Sequence, residues 1–265
     1  MVSSFSYRCC NHRIRISMTV ILLGMLMLAA CSKEEPFVGS PSTVQLFNAL
    51  DNGTELYADL SGNRPLQFKT ALMINNKQYY DVRTNSISTK QPLQPLDLWS
   101  TSDTSTHDSP LIRANLELEE KSFYSMFIFG NKTAAEFLLH KDEIPALKAN
   151  DSVTFIRFAN FGNAQPISVN LKGEPAGSFM QSLPYKGIGE FTEMNARTAV
   201  GQYEFEIRDQ ASEELLAVFI ADNFGYVNGS VVINKWYNKS NTLVLTGHYN
   251  GTGPNEQKVY LMNHR

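Results

Sequence analysis

The chain has 265 residues, 43% of them hydrophobic and 18% charged, with a formal net charge of −3 at neutral pH. Its 23 basic and 26 acidic residues are scattered without a basic stripe, which argues against a nucleic-acid partner. The cysteines, Cys9, Cys10 and Cys31, all lie near the start, so the rest of the chain has no thiol for a disulfide, a zinc site or a nucleophile.

Residues 1–30 carry Arg8, Arg13 and Arg15 and no acid, then an apolar run from Met18 to Leu28. That run is shorter than the roughly 20 residues needed to span a bilayer. A basic start, a short apolar stretch and small residues before a cut are the signature of a secretory signal peptide. Leu28-Ala29-Ala30-Cys31 closes it and resembles the bacterial lipobox. The resemblance implies cleavage before Cys31 and acylation of its thiol, with palmitate-type chains as the membrane anchor. Losing the leader would take the net charge from −3 to −6. Residues 31–42 then read as a lipidated tether. Lys33, Glu34 and Glu35 resemble the Lys-plus-acids signal that displays some lipoproteins on the outer face of the outer membrane.

Beyond the tether, period-two alternation dominates. Leu56/Ala58/Leu60, Leu96/Leu98, Ile112 to Glu119, Ile167/Val169/Leu171 and Tyr203 to Arg208 each place apolar residues on one face. Only Thr133 to His140 and Glu213 to Ile220 have a pattern compatible with short helices. The expected class is all-β.

An internal repeat lies over this pattern. At an offset of 111 residues, Phe47 matches Phe158, Asn52 matches Asn163, Leu56 matches Ile167 and Ala58 matches Val169. Leu66-Gln67-Phe68-Lys69 and Leu183-Pro184-Tyr185-Lys186 follow the two copies. A duplication predicts two sandwich modules, 43–146 and 150–265, with Phe47 and Phe158 in equivalent places. Val153 to Asn160, followed by Ile167 to Gly173, resembles the opening of a module of the domain-of-unknown-function 4397 family. That resemblance implies tandem immunoglobulin-like sandwiches on a bacterial lipoprotein, and it brings no catalytic residues with it. The chain departs from the family pattern in lacking a Pro soon after the opening Asn and in a Ser/Thr-rich insertion at 100–109. Asp151-Ser152-Val153 resembles an O-glycosylation acceptor.

Chemistry is sparse. His107, His140, His248 and His264 show no metal-ligand spacing, so no metal or other cofactor is expected. His107-Asp108-Ser109 holds triad residue types, but three neighbours in a loop do not place the base between its partners. Adjacent carboxylates such as Glu119 and Glu120 point to opposite faces of a strand. Neither a phosphate-binding Gly-rich loop nor a nucleophile elbow is present. The sharper candidates are aromatic: Trp236-Tyr237 among Asn234, Lys235 and Asn238, then Trp99, with Tyr79-Tyr80 behind them. A flat ring beside amides can stack on a sugar, which requires Trp236 or Trp99 to be open to solvent. The reading is a non-enzymatic surface lipoprotein for binding or adhesion. A glycan-binding accessory protein of a polysaccharide-uptake system and a structural envelope component are the alternatives.

Overall fold

Strands organise everything the alternation touched. In the computed structural model, which describes residues 40–62, 68–69, 71–78, 85–103, 109–146, 152–162 and 164–264, the only other regular elements are single 3-10 turns. The first half supplies β1 (Ser42–Asn48), β2 (Leu56–Asp59), β3 (Leu72–Ile74), β4 (Ser86–Thr89), β5 (Leu93–Ser100), β6 (Ile112–Glu117), β7 (Phe123–Asn131) and β8 (Ala134–Asp142). They pair as two four-stranded sheets, β4-β1-β7-β8 and β3-β2-β5-β6. All pairings are antiparallel except β1 with β7.

The second half supplies β9 (Val153–Asn160), β10 (Ile167–Leu171), β11 (Met180–Leu183), β12 (Thr192–Asn195), β13 (Tyr203–Asp209) and β14 (Leu215–Ala221). A hairpin of β15 (Tyr226–Asn228) and β16 (Val231–Ile233) follows, then β17 (Lys239–Thr246) and β18 (Lys258–Asn263). Its two large sheets, β12-β9-β17-β18 and β11-β10-β13-β14, repeat the pairing order of the first half, including one parallel pair, β9 with β17. The two segments with helix-compatible patterns lie in β8 and around β14.

The register of the repeat differs from the gapless sequence match. Leu46 and Phe158 both face inward, each in the core of its own half. Phe47 instead faces outward and shares its environment with Ala159. Asn48 and Asn160 fix the correspondence. Each accepts a backbone N–H two residues on, from Leu50 at 3.1 Å and from Gly162 at 3.3 Å. Each also donates to a carbonyl on the next-but-one strand, Ile74 and Leu183, both at 3.4 Å. Ile74 opposes Leu56 as Leu183 opposes Ile167. The opening strands therefore match one residue later than β2 and β10 do, and Phe47 and Phe158 are not equivalent. Leu183 is the counterpart of Ile74, not of Leu66, so the Leu-x-Phe/Tyr-Lys likeness marks no shared position. Asn163 and residues 147–151 at the expected boundary lie outside the described residues.

Three cores result. Val44, Leu46, Met126 and Ile128 from one sheet meet Leu56, Leu96, Leu98 and Ile112 from the other in the first half. Ile156, Phe158, Leu243 and Leu245 meet Val169, Phe205 and Ile207 in the second. The third core lies between the halves, where the outer faces of β4-β1-β7-β8 and β12-β9-β17-β18 pack on each other. Phe127 stacks on Phe161 with ring centroids 4.7 Å apart, and Phe129 lies 5.1 Å from the same ring. Four sheets thus form successive layers, and Ser40–Arg265 is one compact unit. Asn52 and Asn255 exchange hydrogen bonds of 2.7 and 2.8 Å across one end of the shared face, and Lys77 donates to the Pro254 carbonyl at 2.7 Å beside them.

Candidate functional site

The two halves differ most where the sixth strand of each leads to its next long strand. In the first half residues 118–122 join β6 to β7, whereas in the second residues 222–238 join β14 to β17 and carry the β15–β16 hairpin. Insertions on a shared scaffold are where recognition surfaces arise, because they change without disturbing the core.

Trp236 anchors this insertion. It is only 4% exposed, stacks on Phe224 at 5.6 Å with the rings 12° from parallel, and meets Phe219 edge-on. Its indole N–H donates to the Asp222 carbonyl. The expectation of an open Trp236 is thus overturned: the Asn-rich surroundings are turn chemistry, and the ring is what the turn closes over. Trp99 is also covered, at 2% exposure. It points away from the first-half core, as period two requires, yet that outer face is itself shielded: Trp99 sits opposite Tyr57, whose ring meets Phe68 at 5.4 Å. Tyr237 is the exposed ring, at 38%.

Asn234 holds Tyr237 in place. Its Oδ1 accepts the backbone N–H groups of Trp236 and Tyr237, both at 2.9 Å, and its Nδ2 donates to the Ala196 carbonyl at 2.6 Å. The result is an open groove of about 420 Å³ bounded by Ser152, Arg197, Thr198, Val232, Asn234 and Tyr237. Val232, on the hairpin, is 59% exposed. Two other grooves each hold one lysine, and in both it is ion-paired to a glutamate of the same wall. In one, Lys141 meets Glu119 at 2.6 Å, a hydrogen bond that raises the lysine pKa. In the other, Lys172 meets Glu204 at 2.9 Å with the same effect.

A second cluster escaped sequence reasoning. Arg157, on β9, points into the interface between the halves, where its Nη2 donates to Asp142 Oδ1 at 2.5 Å and to Ser125 Oγ at 3.4 Å. Its Nε donates to Thr242 Oγ1 at 2.8 Å, and its guanidinium lies 4.4 Å from the centre of the Phe191 ring. His264 completes the cluster, with Nε2 2.6 Å from Thr242 Oγ1 and Nδ1 2.6 Å from Gln45 Oε1. Gln45 Nε2 donates to the Asn263 carbonyl at 2.8 Å, so its Oε1 must accept from His264. With His264 neutral and its Nδ1 donating to Gln45, Nε2 accepts from the Thr242 hydroxyl, which in turn accepts from Arg157 Nε. Burial, then the charge of Arg157 and the nearby His140, hold the His264 pKa well below the ordinary histidine value.

Ser125, Asp142 and His264 are triad residue types in contact, but their order is wrong for hydrolysis. The carboxylate stands between the others, accepting from Ser125 Oγ at 2.7 Å with His264 Nδ1 4.0 Å away, and all three are buried. A triad needs the imidazole in the middle and the hydroxyl open to substrate. The cluster is a lock between the halves. The local sequence signal was a polar residue between apolar neighbours, Gln45 between Val44 and Leu46 on β1 and Arg157 between Ile156 and Phe158 on β9, which marks a polar site but not its partner.

The chain matches no model of a known protein family, and no curated protein is recognisably similar to it in sequence. Among the described residues no group of three His, Cys, Asp or Glu converges as a metal site. Cys31, Lys33, Glu34, Glu35, Tyr79, Tyr80, His107 and Asp108 lie outside the described residues. Of the aromatic candidates among the described residues, Tyr237 lines the groove described above, whereas Trp99 and Trp236 are buried.

Proposed function

We propose that this protein is a lipid-anchored component of the bacterial outer membrane that presents a rigid, non-enzymatic body for recognition at the cell surface. The observation that carries the anchor is Leu28-Ala29-Ala30-Cys31 directly behind a short apolar run. One acyl chain binds a membrane only marginally, whereas several hold firmly, which is the reason for multiple acylation at one cysteine. Two tandem immunoglobulin-like modules of the domain-of-unknown-function 4397 kind are the proposed architecture, supported by the repeated pairing order and by the paired turn asparagines, Asn48 and Asn160.

Recognition belongs to the groove beside Tyr237, because it is built by an insertion that the first half lacks. A saccharide suits it better than an extended protein epitope: the groove offers one exposed ring on a pinned backbone, the hydroxyls of Ser152 and Thr198, and one exposed aliphatic side chain, Val232. Labelling cells with a radioactive or clickable palmitate tests the anchor. Incorporation into the wild type and its loss in Cys31→Ala is the expected result; equal labelling of both overturns the reading. Replacing Lys33, Glu34 and Glu35 with alanine should retain lipidation while shielding the protein from protease added to intact cells.

A further inference from the structure

We infer that the Tyr237 groove takes an acidic saccharide, one whose carboxylate meets the Arg197 guanidinium while a ring face packs on Tyr237. This rests on the recognition reading and specifies its ligand.

Charge is the first argument. Among the described residues Arg197 is the one charged residue lining the groove, and its guanidinium has no ion pair or hydrogen bond to any of them. The two grooves described above do the opposite, each holding its lysine on a glutamate of the same wall. An arginine unpaired among the described residues, beside described groove walls that carry no carboxylate, can receive an anion, because its planar fork matches a carboxylate's two oxygens.

Geometry is the second. The Tyr237 backbone is pinned by Asn234, and the neighbouring Trp236 is locked against Phe224, so binding orders only the Tyr237 side chain and not the loop that carries it. Asn234 spends both its Oδ1 and its Nδ2 on the protein, which leaves the hydroxyls of Ser152, Thr198 and Tyr237 to meet sugar hydroxyls. A volume of about 420 Å³ admits one or two sugar rings and leaves the rest of a chain in solvent. A bare inorganic anion would leave the ring and Val232 unused.

The test is calorimetric titration of the full lipidated protein in detergent with oligogalacturonate and oligomannuronate, and with their methyl esters as neutral counterparts. At least one uronate series should bind, with esterification weakening it tenfold or more. Arg197→Gln should remove that preference while leaving ester binding unchanged, and Tyr237→Ala should weaken both forms. Arg113→Gln, on β6 far along the chain, should change neither. Equal affinity for acid and ester, an Arg197→Gln variant indistinguishable from wild type, or no binding of any uronate would each overturn the proposal. So would polyglutamate binding as tightly as the sugars, which would make the groove a peptide site. Equal binding of acid and ester, weakened in Tyr237→Ala, would refute the acidic ligand and keep saccharide recognition at the groove, whereas no binding of either form would remove the recognition reading itself.

Discussion

The first and second halves share a pairing order but treat their outer surfaces differently. On β6 the outward positions are Arg113, Asn115 and Glu117; on its counterpart β14 the exposed side chains include Leu215, Val218 and Ile220. The connection that follows is minimal in the first half and becomes a hairpin and a groove in the second. Inward positions diverge far less: Leu46 and Phe158, Val44 and Ile156, Leu56 and Ile167 are all apolar and buried. Two halves with one pairing order keep what their cores require, and are free to differ wherever water is the neighbour.

The halves can be set against each other by mutation. Gln45 and Arg157 occupy matched sites in the lock, but only one is charged. Arg157→Ala leaves Asp142 buried without its cation, which costs about 3–5 kcal/mol. Gln45→Ala strands a neutral imidazole donor and costs about 1–3 kcal/mol. Denaturant unfolding of the two variants should rank them in that order; equal losses would mean the ion pair adds nothing beyond a hydrogen bond.

The register of the repeat is the next point to press. Leu46→Ala should cost about 3 kcal/mol, within the usual range for a buried leucine, and hydrogen exchange should show the loosening on β2 and β5. Phe47→Ala should instead loosen protection on β17 and β18 across the shared face. Swapped exchange patterns would restore the gapless alignment.

Acid should weaken the lock. An unfolded histidine titrates near about 6.5, while burial keeps His264 neutral to a much lower pH in the native state. Between those values the unfolded chain binds the extra proton, so stability is complete above about 6.5 and falls as the pH drops, by at most about 1.4 kcal/mol per pH unit for this one site. His140 is shifted the same way, by burial first and Arg157 second. His264→Gln should therefore reduce, without abolishing, the slope of stability between pH 7 and 5. An unchanged slope would place the titration elsewhere.

The smallest effect belongs to Tyr237→Ala, which removes an exposed ring and should alter stability by less than about 0.5 kcal/mol. A larger loss would show that the ring supports the insertion, as Trp236 does, and does not serve a ligand.

Alternation made strands legible wherever one face meets water. Ile112 to Glu117 and Tyr203 to Arg208 were readable for that reason. It vanishes in β7, where Tyr124 to Phe129 are all buried because one face joins the first core and the other joins the third. The same double burial hid the register of β1 and β9: in a strand with two apolar faces, sliding by one residue costs the pattern nothing. The turn asparagines were the better ruler. For the tryptophans, period two placed Trp99 on the correct side of its sheet, but a side is not an exposure when loops and neighbouring rings cover it. In the Asn-rich loop the same reading expected Trp236 to be open, whereas the larger aromatic is the buried anchor and Tyr237 faces outward. The lock required knowing that two outer faces meet, which no local pattern encodes.

The parallel pairing of β1 with β7, and of β9 with β17, also sets a timetable. Each opening strand waits for a partner about 80 residues further on, a long loop to close and a slow kind of contact to form. A chain delivered N-terminus first can pair β1 with β4 but must hold its other edge open until β7 emerges, and then repeat the wait with β9. Assembly in two rounds leaves the aromatic outer face of the first half bare in the interval. The polar residues seated in that face, Gln45 and Ser125, make it a poorer target for stray association before Arg157 arrives.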